Sequence, residues 1–352
     1  MELLKTMIFH LTNRCNLKCL HCWVDASSAC EDKSLTLKKW KSIVDEGKAL
    51  GVKSIKLTGG EPLLYNDTLN IAKYIKNNNI NCSIETNGTL IDENNIEEFK
   101  DCFDYIAISL DSPNDGYHDW FRQKQGSWKK ALNGIKLVIE KQIPMQIIYT
   151  VTKENMPDII NMLDFCIDNK IPSIKINPVN LAGRAKNTSS FEIIDSEDYI
   201  YIHNLIDEYK KEHNDLHIAF PIPMAFSSLA ELLTTRVGKC DICSRIAVMP
   251  NGDVSICGIA LTVKELVLGN IYDKSLHELW ENTVFLSYIK ENIPRGLKGV
   301  CGICVHKNMC LGHCRAYAAM ETNDILAPHS LCQSLYEKGL FPKSRLCGES
   351  YE

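Results

Sequence analysis

Between Met7 and about Lys211, strand-length apolar stretches alternate with helix-length amphipathic stretches six times. That alternation leaves the chain few options. Strands separated by helices lie parallel, joined by right-handed crossovers, so the fold class is α/β. The strand readings are Met7 to Thr12, Ser54 to Thr58, Asn81 to Thr86, Tyr105 to Leu110, Met145 to Val151 and Ser173 to Asn177. The helix readings are Ser34 or Thr36 to Leu50, Asp67 to Asn77, Glu93 to Asp101, Trp128 to Lys141, Met156 to Asn169 and Asp195 to His213. Leu37, Trp40, Ile43, Val44 and Leu50 mark the buried stripe of the first helix, and Gly51 stops it.

The strands carry a second signal. Ile106, Ile108 and Leu110 alternate with Ala107, Ser109 and Asp111, and similar splits set Thr58, Glu85 and Asn177 opposite Leu57, Ile84 and Ile176. One face packs under helices; the other turns polar toward the strands' C-terminal ends. A barrel-like sheet with a polar mouth follows, and α/β sites form at that end.

Three cysteines, Cys15, Cys19 and Cys22, follow the first strand. Three thiolates hold three irons of a [4Fe–4S] cubane and leave the fourth iron free to chelate an amine and a carboxylate. Zinc with His21 as fourth ligand is the rival reading. A tetrahedral zinc site, however, usually draws on two ligand loops from separate segments. A disulfide would strand one thiol.

Composition narrows the setting. The chain has 352 residues, a formal charge of -5 and sixteen cysteines. Mild acidity argues against a nucleic-acid or membrane surface. No signal sequence and no apolar run near twenty residues is present, so a cytoplasmic protein is expected. In a reducing compartment so many cysteines point to metal rather than disulfides. Eight fall between Cys240 and Cys332, while Cys30, Cys82, Cys102, Cys166 and Cys347 are scattered and read as small apolar residues or idle thiols.

The three-cysteine loop, Gly59-Gly60-Glu61-Pro62 after the second strand, Thr86-Asn87-Gly88 after the third and Ser109-Leu110-Asp111 ending the fourth together resemble the radical S-adenosylmethionine superfamily. The resemblance covers about the first two hundred residues. It implies a partial (β/α)6 TIM-like barrel and S-adenosylmethionine chelated at the open iron. It also implies a 5′-deoxyadenosyl radical that abstracts hydrogen from substrate. Carried over, it places Gly59, Gly60 and Glu61 at the methionine amino group and Ser109 at the carboxylate or ribose. Glu85 and Asn87 would line the same mouth. Arg122 falls where relatives place a carboxylate-pairing basic residue; a solvated surface arginine is the bland alternative. His21 is read either as packing on the adenine or as solvated. Gly183-Arg184-Ala185 also recurs in relatives and reads as structural.

After Leu216 to Pro223, read as a connection, the composition shifts. The expected organisation is a barrel over 1–215, a bridging segment over 216–239 and a cysteine-rich domain over 240–352. Alternating runs about Asn251-Gly252 predict a hairpin, and Ser275 to Asn282 a short helix. Eight cysteines would also satisfy two zinc knuckles. Their order over 240–332 resembles the SPASM auxiliary-cluster domain. The resemblance assigns Cys240, Cys243, Cys257 and Cys314 to an inner [4Fe–4S] cluster, and Cys301, Cys304, Cys310 and Cys332 to an outer one. Sulfatase-maturating relatives carry a basic aspartate after the hairpin-closing cysteine; here that position is Gly258.

The expectation is therefore an enzyme with three [4Fe–4S] clusters and S-adenosylmethionine. It would oxidatively modify a ribosomally made peptide by a thioether or carbon–carbon crosslink or a related oxidation. The implied partners are the peptide, a separate leader-binding protein if the substrate is leader-guided, and an electron donor such as flavodoxin or ferredoxin. No nucleic acid or membrane partner is expected. Tetrapyrrole side-chain decarboxylation is the main alternative, with Lys56, Lys175 and Arg184 as the cations that would meet propionates. A redox-neutral peptide epimerase is a further one, and an electron carrier without enzymatic activity is a third.

Overall fold

In a computed structural model, residues 3–30, 34–234, 242–259, 263–281 and 284–347 are described. Seven parallel strands come first: β1 (Thr6–His10), β2 (Ser54–Thr58), β3 (Asn81–Thr86), β4 (Tyr105–Ser109), β5 (Met145–Val151), β6 (Ser173–Pro178) and β7 (His217–Ala219). The crossovers hold α1 (Leu37–Ala49), α2 (Thr68–Asn77), α3 (Ile96–Cys102), α4 (Asp115–Arg122), α5 (Ser127–Glu140), α6 (Ile159–Asp168) and α7 (Ser196–Glu212). Apart from α4, these helices bury mainly apolar side chains against the sheet's outer face. In α1 the stripe is Trp40, Ile43 and Val44, started by the Thr36 side chain accepting from the Lys39 amide.

The C-terminal half does not stand apart. β8 (Arg245–Val248) pairs parallel with β1 on the side away from β2, and β9 (Asp253–Ser255) and β10 (Val267–Asn270) follow antiparallel. One ten-stranded open sheet results, in the order β10-β9-β8-β1-β2-β3-β4-β5-β6-β7. Short helices then carry the remaining cysteines, among them Gly299–Ile303, Lys307–Cys310, Arg315–Thr322 and Ser330–Glu337.

Two expectations need correction. The segment read as a connection from Leu216 contains β7, which pairs with β6 through Ser173, Ile174 and Lys175. Three residues ahead of Pro221 and Pro223 are too few to show alternation. The helix Asp115–Arg122 went unread because His118, Asp119 and Arg122 are buried on it, so polar residues occupy its inner face.

Candidate functional site

The loop after β1 folds into a small basin. Cys15 and Cys19 are buried and Cys22 is half-buried, with Leu17 and Ala26 packed among them. Each sulfur accepts a protein N–H: Cys15 from the Leu17 amide at 3.4 Å, Cys22 from the Ala26 amide at 3.4 Å, and Cys19 from Nη1 of Arg122 at 3.7 Å. Burial pushes the Cys15 thiol up to about 12, so it ionises at neutral pH only when a metal takes the proton's place. Donors aimed at sulfur suit anionic thiolates of a cluster. The spacing agrees. Four thiolates on one zinc would lie about 3.8 Å apart, given 2.3 Å bonds in a tetrahedron. Among the described residues, only His203, Asp207 and Glu231 bring three candidate ligand atoms within 4.8 Å of one another, and no cysteine group does.

The loops after β2 and β3 brace this basin. The Gly60 amide donates to the Thr12 carbonyl at 2.7 Å and the Glu61 amide to the Arg14 carbonyl at 2.8 Å. Gly59 has φ +136°, and a Cβ there would lie 2.6 Å from the Thr12 oxygen, so backbone packs on backbone without room for a side chain. The glycines thus admit the cysteine loop itself. The Glu61 carboxylate is fully buried and accepts from the Leu63 amide, the Thr86 hydroxyl and the Asn87 amide at 2.7–3.1 Å. Burial raises its pKa to about 6 against those hydrogen bonds, so it is ionised at neutral pH. Asn87 also donates to Asn16 at 2.9 Å.

Beside Cys19 lies a buried charge network. Nε of Arg122 donates to Asp111 at 2.6 Å, and Asp111 also accepts from the Thr150 amide. Burial alone would raise the Asp111 pKa; Arg122, His21 and His118 outweigh it and hold it at about 2. Arg122 is 6 % exposed, which removes the surface-arginine reading. Its carboxylate partner in the structure is Asp111. His21 is half-buried and stacks on Phe121 with centroids 4.0 Å apart, and burial, with Arg122, lowers its pKa to about 3. Arg184 clasps the same loop, donating to the Cys19 and Ala26 carbonyls and to Asp25. Ser109 ends β4, half-buried.

Inside the sheet the register lines up polar side chains. Ile8 pairs with Lys56 and His10 with Thr58 across β1 and β2; Thr150 pairs with Asn177 across β5 and β6. His10, Lys56, Thr58, Glu85, Lys175, Asn177 and Arg245 line a cavity of about 630 Å³. Its opposite wall carries Cys257, Gly258, His313, Cys314, Tyr317 and Glu321. Lys56 and Glu85 pair at 2.7 Å. Burial would raise the Glu85 pKa, but Lys56 and Lys175 hold it below its ordinary value. Lys175 is lowered by burial and by Lys56. Arg184 is not at this wall; Arg245, at the start of β8, takes the place proposed for it. His10 is a further cavity residue that the sequence does not announce, since it sits inside the strand read from Met7 to Thr12.

The far cysteines form two groups. Cys301, Cys304, Cys310 and Cys332 line one small pocket with Ala225 and Phe341. Burial, then these neighbours, pushes Cys332 well above the ordinary thiol range and Cys310 up to about 11. Cys314 lies on the other side, at the large cavity with Cys257. Cys243 is half-buried against the main core, and Cys240 lies outside the described residues. Cys347 is exposed, and its amide donates to the Ile303 carbonyl at 2.7 Å beside the outer group.

A half-open α/β barrel that gathers three thiols at its mouth, with more cysteines behind a polar cavity, defines an iron–sulfur enzyme of radical type. The profile of the Radical SAM superfamily matches residues 9–166, and that of the SPASM iron–sulfur cluster-binding domain matches residues 240–315. The chain belongs to the radical SAM superfamily, in its SPASM-bearing branch, and uses iron–sulfur clusters and S-adenosylmethionine. It is 26% identical to an AdoMet-dependent heme synthase of Methanosarcina barkeri, over 95% of this chain and 97% of that one. It is 29% identical to the subtilosin biosynthesis protein AlbA of Bacillus subtilis, over 86% of this chain and 67% of that one. The fold matches Streptococcus suis SuiB bound to S-adenosylmethionine with TM-score 0.73 at 22% identity, covering 93% of this chain and 77% of that one. SuiB has also been solved with its precursor peptide SuiA. No helix among the described residues is long and apolar enough to cross a membrane.

Proposed function

We propose that this chain uses three [4Fe–4S] clusters and S-adenosylmethionine to oxidise a carboxylate-bearing substrate held in the 630 Å³ cavity. Cys15, Cys19 and Cys22 hold the first cluster. When bound, that cluster supplies the electron that splits the sulfonium, giving the radical that takes a hydrogen atom from substrate. The carbonyls of the Gly59–Gly60 turn receive the methionine ammonium, and the buried Glu61 and Asn87 keep that turn rigid. Ser109 faces the carboxylate or ribose. Arg122, anchored by Asp111, orders Cys19 and the cofactor beside it. Cys257 and Cys314, which line the cavity, would hold the inner auxiliary cluster with Cys243 and Cys240, and that cluster would supply an acceptor for the substrate's electron. Cys301, Cys304, Cys310 and Cys332 hold the outer one, toward a flavodoxin or ferredoxin.

One observation carries the substrate class. Among the described residues lining the cavity are three cations, Lys56, Lys175 and Arg245, together with the carboxylates of Glu85, Asp195 and Glu321. Cations in a cavity wall can form charge-assisted hydrogen bonds with a ligand's carboxylate. Propionate side chains of a tetrapyrrole offer such carboxylates. Each would lose a hydrogen atom, carbon dioxide and one electron and end as a vinyl group. The heme-synthase relative, matched almost end to end, supports this reading. The peptide reading rests on the AlbA relative, and an acidic peptide would use the same cations. The reduced, reconstituted protein should release 5′-deoxyadenosine from S-adenosylmethionine; no release overturns the radical assignment. Titration with iron coproporphyrin should shift its Soret band. Cleavage without any Soret shift would remove the tetrapyrrole and leave the peptide.

A further inference from the structure

The outer cysteine group lies under a thin skin. Cys301, Cys304, Cys310 and Cys332 are buried, yet Ile303, Val305 and Met309, each next in sequence to Cys304 or Cys310, are 41 %, 45 % and 53 % exposed. Consecutive Cα atoms lie about 3.8 Å apart, so the cover over those cysteines is one residue deep there. The segment 343–347 seals its edge. The Val305 amide donates to the Arg345 carbonyl at 2.9 Å and the Cys347 amide to the Ile303 carbonyl at 2.7 Å, with Cys304 bridged to Leu346 between them. Lys343 and Arg345 are thereby set beside the apolar three, and Lys307 falls between Val305 and Met309.

This surface is positive although the chain carries a formal charge of -5. No acidic residue occurs from Lys298 to Arg315 or from Lys338 to Cys347. Of the carboxylates between those stretches, Glu321 lines the large cavity, Asp324 pairs with Lys298 at 2.7 Å, and Glu337 accepts from Gln333 at 2.9 Å. Lys307 donates to the Gly302 carbonyl at 2.8 Å and Arg345 to the Ser227 carbonyl at 3.3 Å, while Lys343 is exposed. Among the described residues none of these three cations is paired with a carboxylate. An exposed apolar centre rimmed by unpaired charge marks a docking surface for another protein.

We infer that this surface docks an acidic one-electron carrier protein of the flavodoxin or ferredoxin type. Ile303, Val305 and Met309 form the centre of the contact, and Lys307, Lys343 and Arg345 meet the carrier's carboxylates. The inference rests on the outer cluster proposed above and adds where the carrier lands and what it presents. Position and charge together select the occupant. A redox group one residue beneath the skin means that a partner seated there exchanges electrons. A cationic rim means that the partner is acidic. One electron passes from the reduced outer cluster to the oxidised carrier, and no bond forms or breaks. Complementary charge acts chiefly on the rate of encounter, and apolar contact on how long the pair stays together.

The test mixes reconstituted, dithionite-reduced protein, freed of excess reductant, with oxidised flavodoxin and follows the flavin absorption by stopped flow. The wild type should reduce flavodoxin with a second-order rate constant that falls steeply as salt rises. Lys343→Glu should lower that constant about tenfold at low salt and far less at high salt. Met309→Asp should weaken flavodoxin binding about tenfold at low and high salt alike. Lys129→Glu makes the same change of charge at an exposed position on α5 and should behave as wild type. Iron content should match the wild type in all three variants, which separates a lost contact from a lost cluster. An unchanged rate in Lys343→Glu, an unchanged affinity in Met309→Asp, or equal slowing by Lys129→Glu overturns the docking surface while leaving the cluster reading intact. Failure of the wild type to reduce flavodoxin overturns both the surface and the outward electron path.

Discussion

The two cysteine-bearing regions are held by different means. The loop from Cys15 to Cys22 is short, and its shape comes from outside: the Gly59–Glu61 turn, Asn87, Arg122 and Arg184 all reach in from later strands and helices. The outer group draws Cys301 and Cys332 from segments thirty-one residues apart and is knotted from within. There Arg315, fully buried, donates to the carbonyls of Gly312, Ile325 and Ala327. A site that must expose one corner to a substrate is propped by its neighbours. The outer group, which we propose relays charge, closes over itself.

Removing ligands should break that contrast most sharply. Cys19→Ala should abolish 5′-deoxyadenosine formation. Cys332→Ala should leave S-adenosylmethionine cleavage measurable, by chromatography of the nucleoside, while stopping turnover of substrate. Equal loss in both variants would mean that the outer group is needed to build the first site. The next effect compares the two arginine clasps. Arg315→Met orphans three buried carbonyls and should lower stability by at least about 3 kcal/mol in urea unfolding. Arg184→Met, at a half-exposed position where water replaces the lost bonds, should lower it by about 1 kcal/mol. Similar losses would deny the distinction between inner knot and outer prop.

The smallest effect sharpens it. Arg122→Gln removes a charged donor from Cys19. If that bond is worth about 1.4 kcal/mol more to the reduced cluster, the first cluster's midpoint falls by about 60 mV in a redox titration, and the auxiliary clusters do not move. No shift would confine Arg122 to holding Asp111.

Much of this was legible in the sequence because it is local. Ser54–Thr58, Asn81–Thr86 and Met145–Val151 have the bounds their alternation predicts. The alternation also placed Thr58, Glu85 and Asn177 on the inner face, where the cavity now shows them. What escaped is pairing across distance. That β8 lies along β1 depends on a partner 239 residues away, Thr6 beside Arg245, which no window of sequence displays. Arg245 therefore went unnoticed as a cavity residue, and Arg184 was put forward for a role it does not hold. Arg122 could be placed only by resemblance, with a surface cation as its alternative, because nothing in a helix sequence announces a carboxylate waiting just after the preceding strand. His10 was hidden by its neighbours: inside the strand read from Met7 to Thr12, one polar residue between Phe9 and Leu11 announces no cavity.

The β1–β8 ladder has a practical consequence. Trimming the chain back to its first 215 residues, as its motifs invite, would strip β1 of one neighbour and bare a row of amides and carbonyls beside the metal-binding loop. Such a fragment would be sticky, prone to recruit a stray strand from another molecule. Anyone wishing to simplify this enzyme should carry the stretch from Arg245 to Ser255 along as a built-in selvedge.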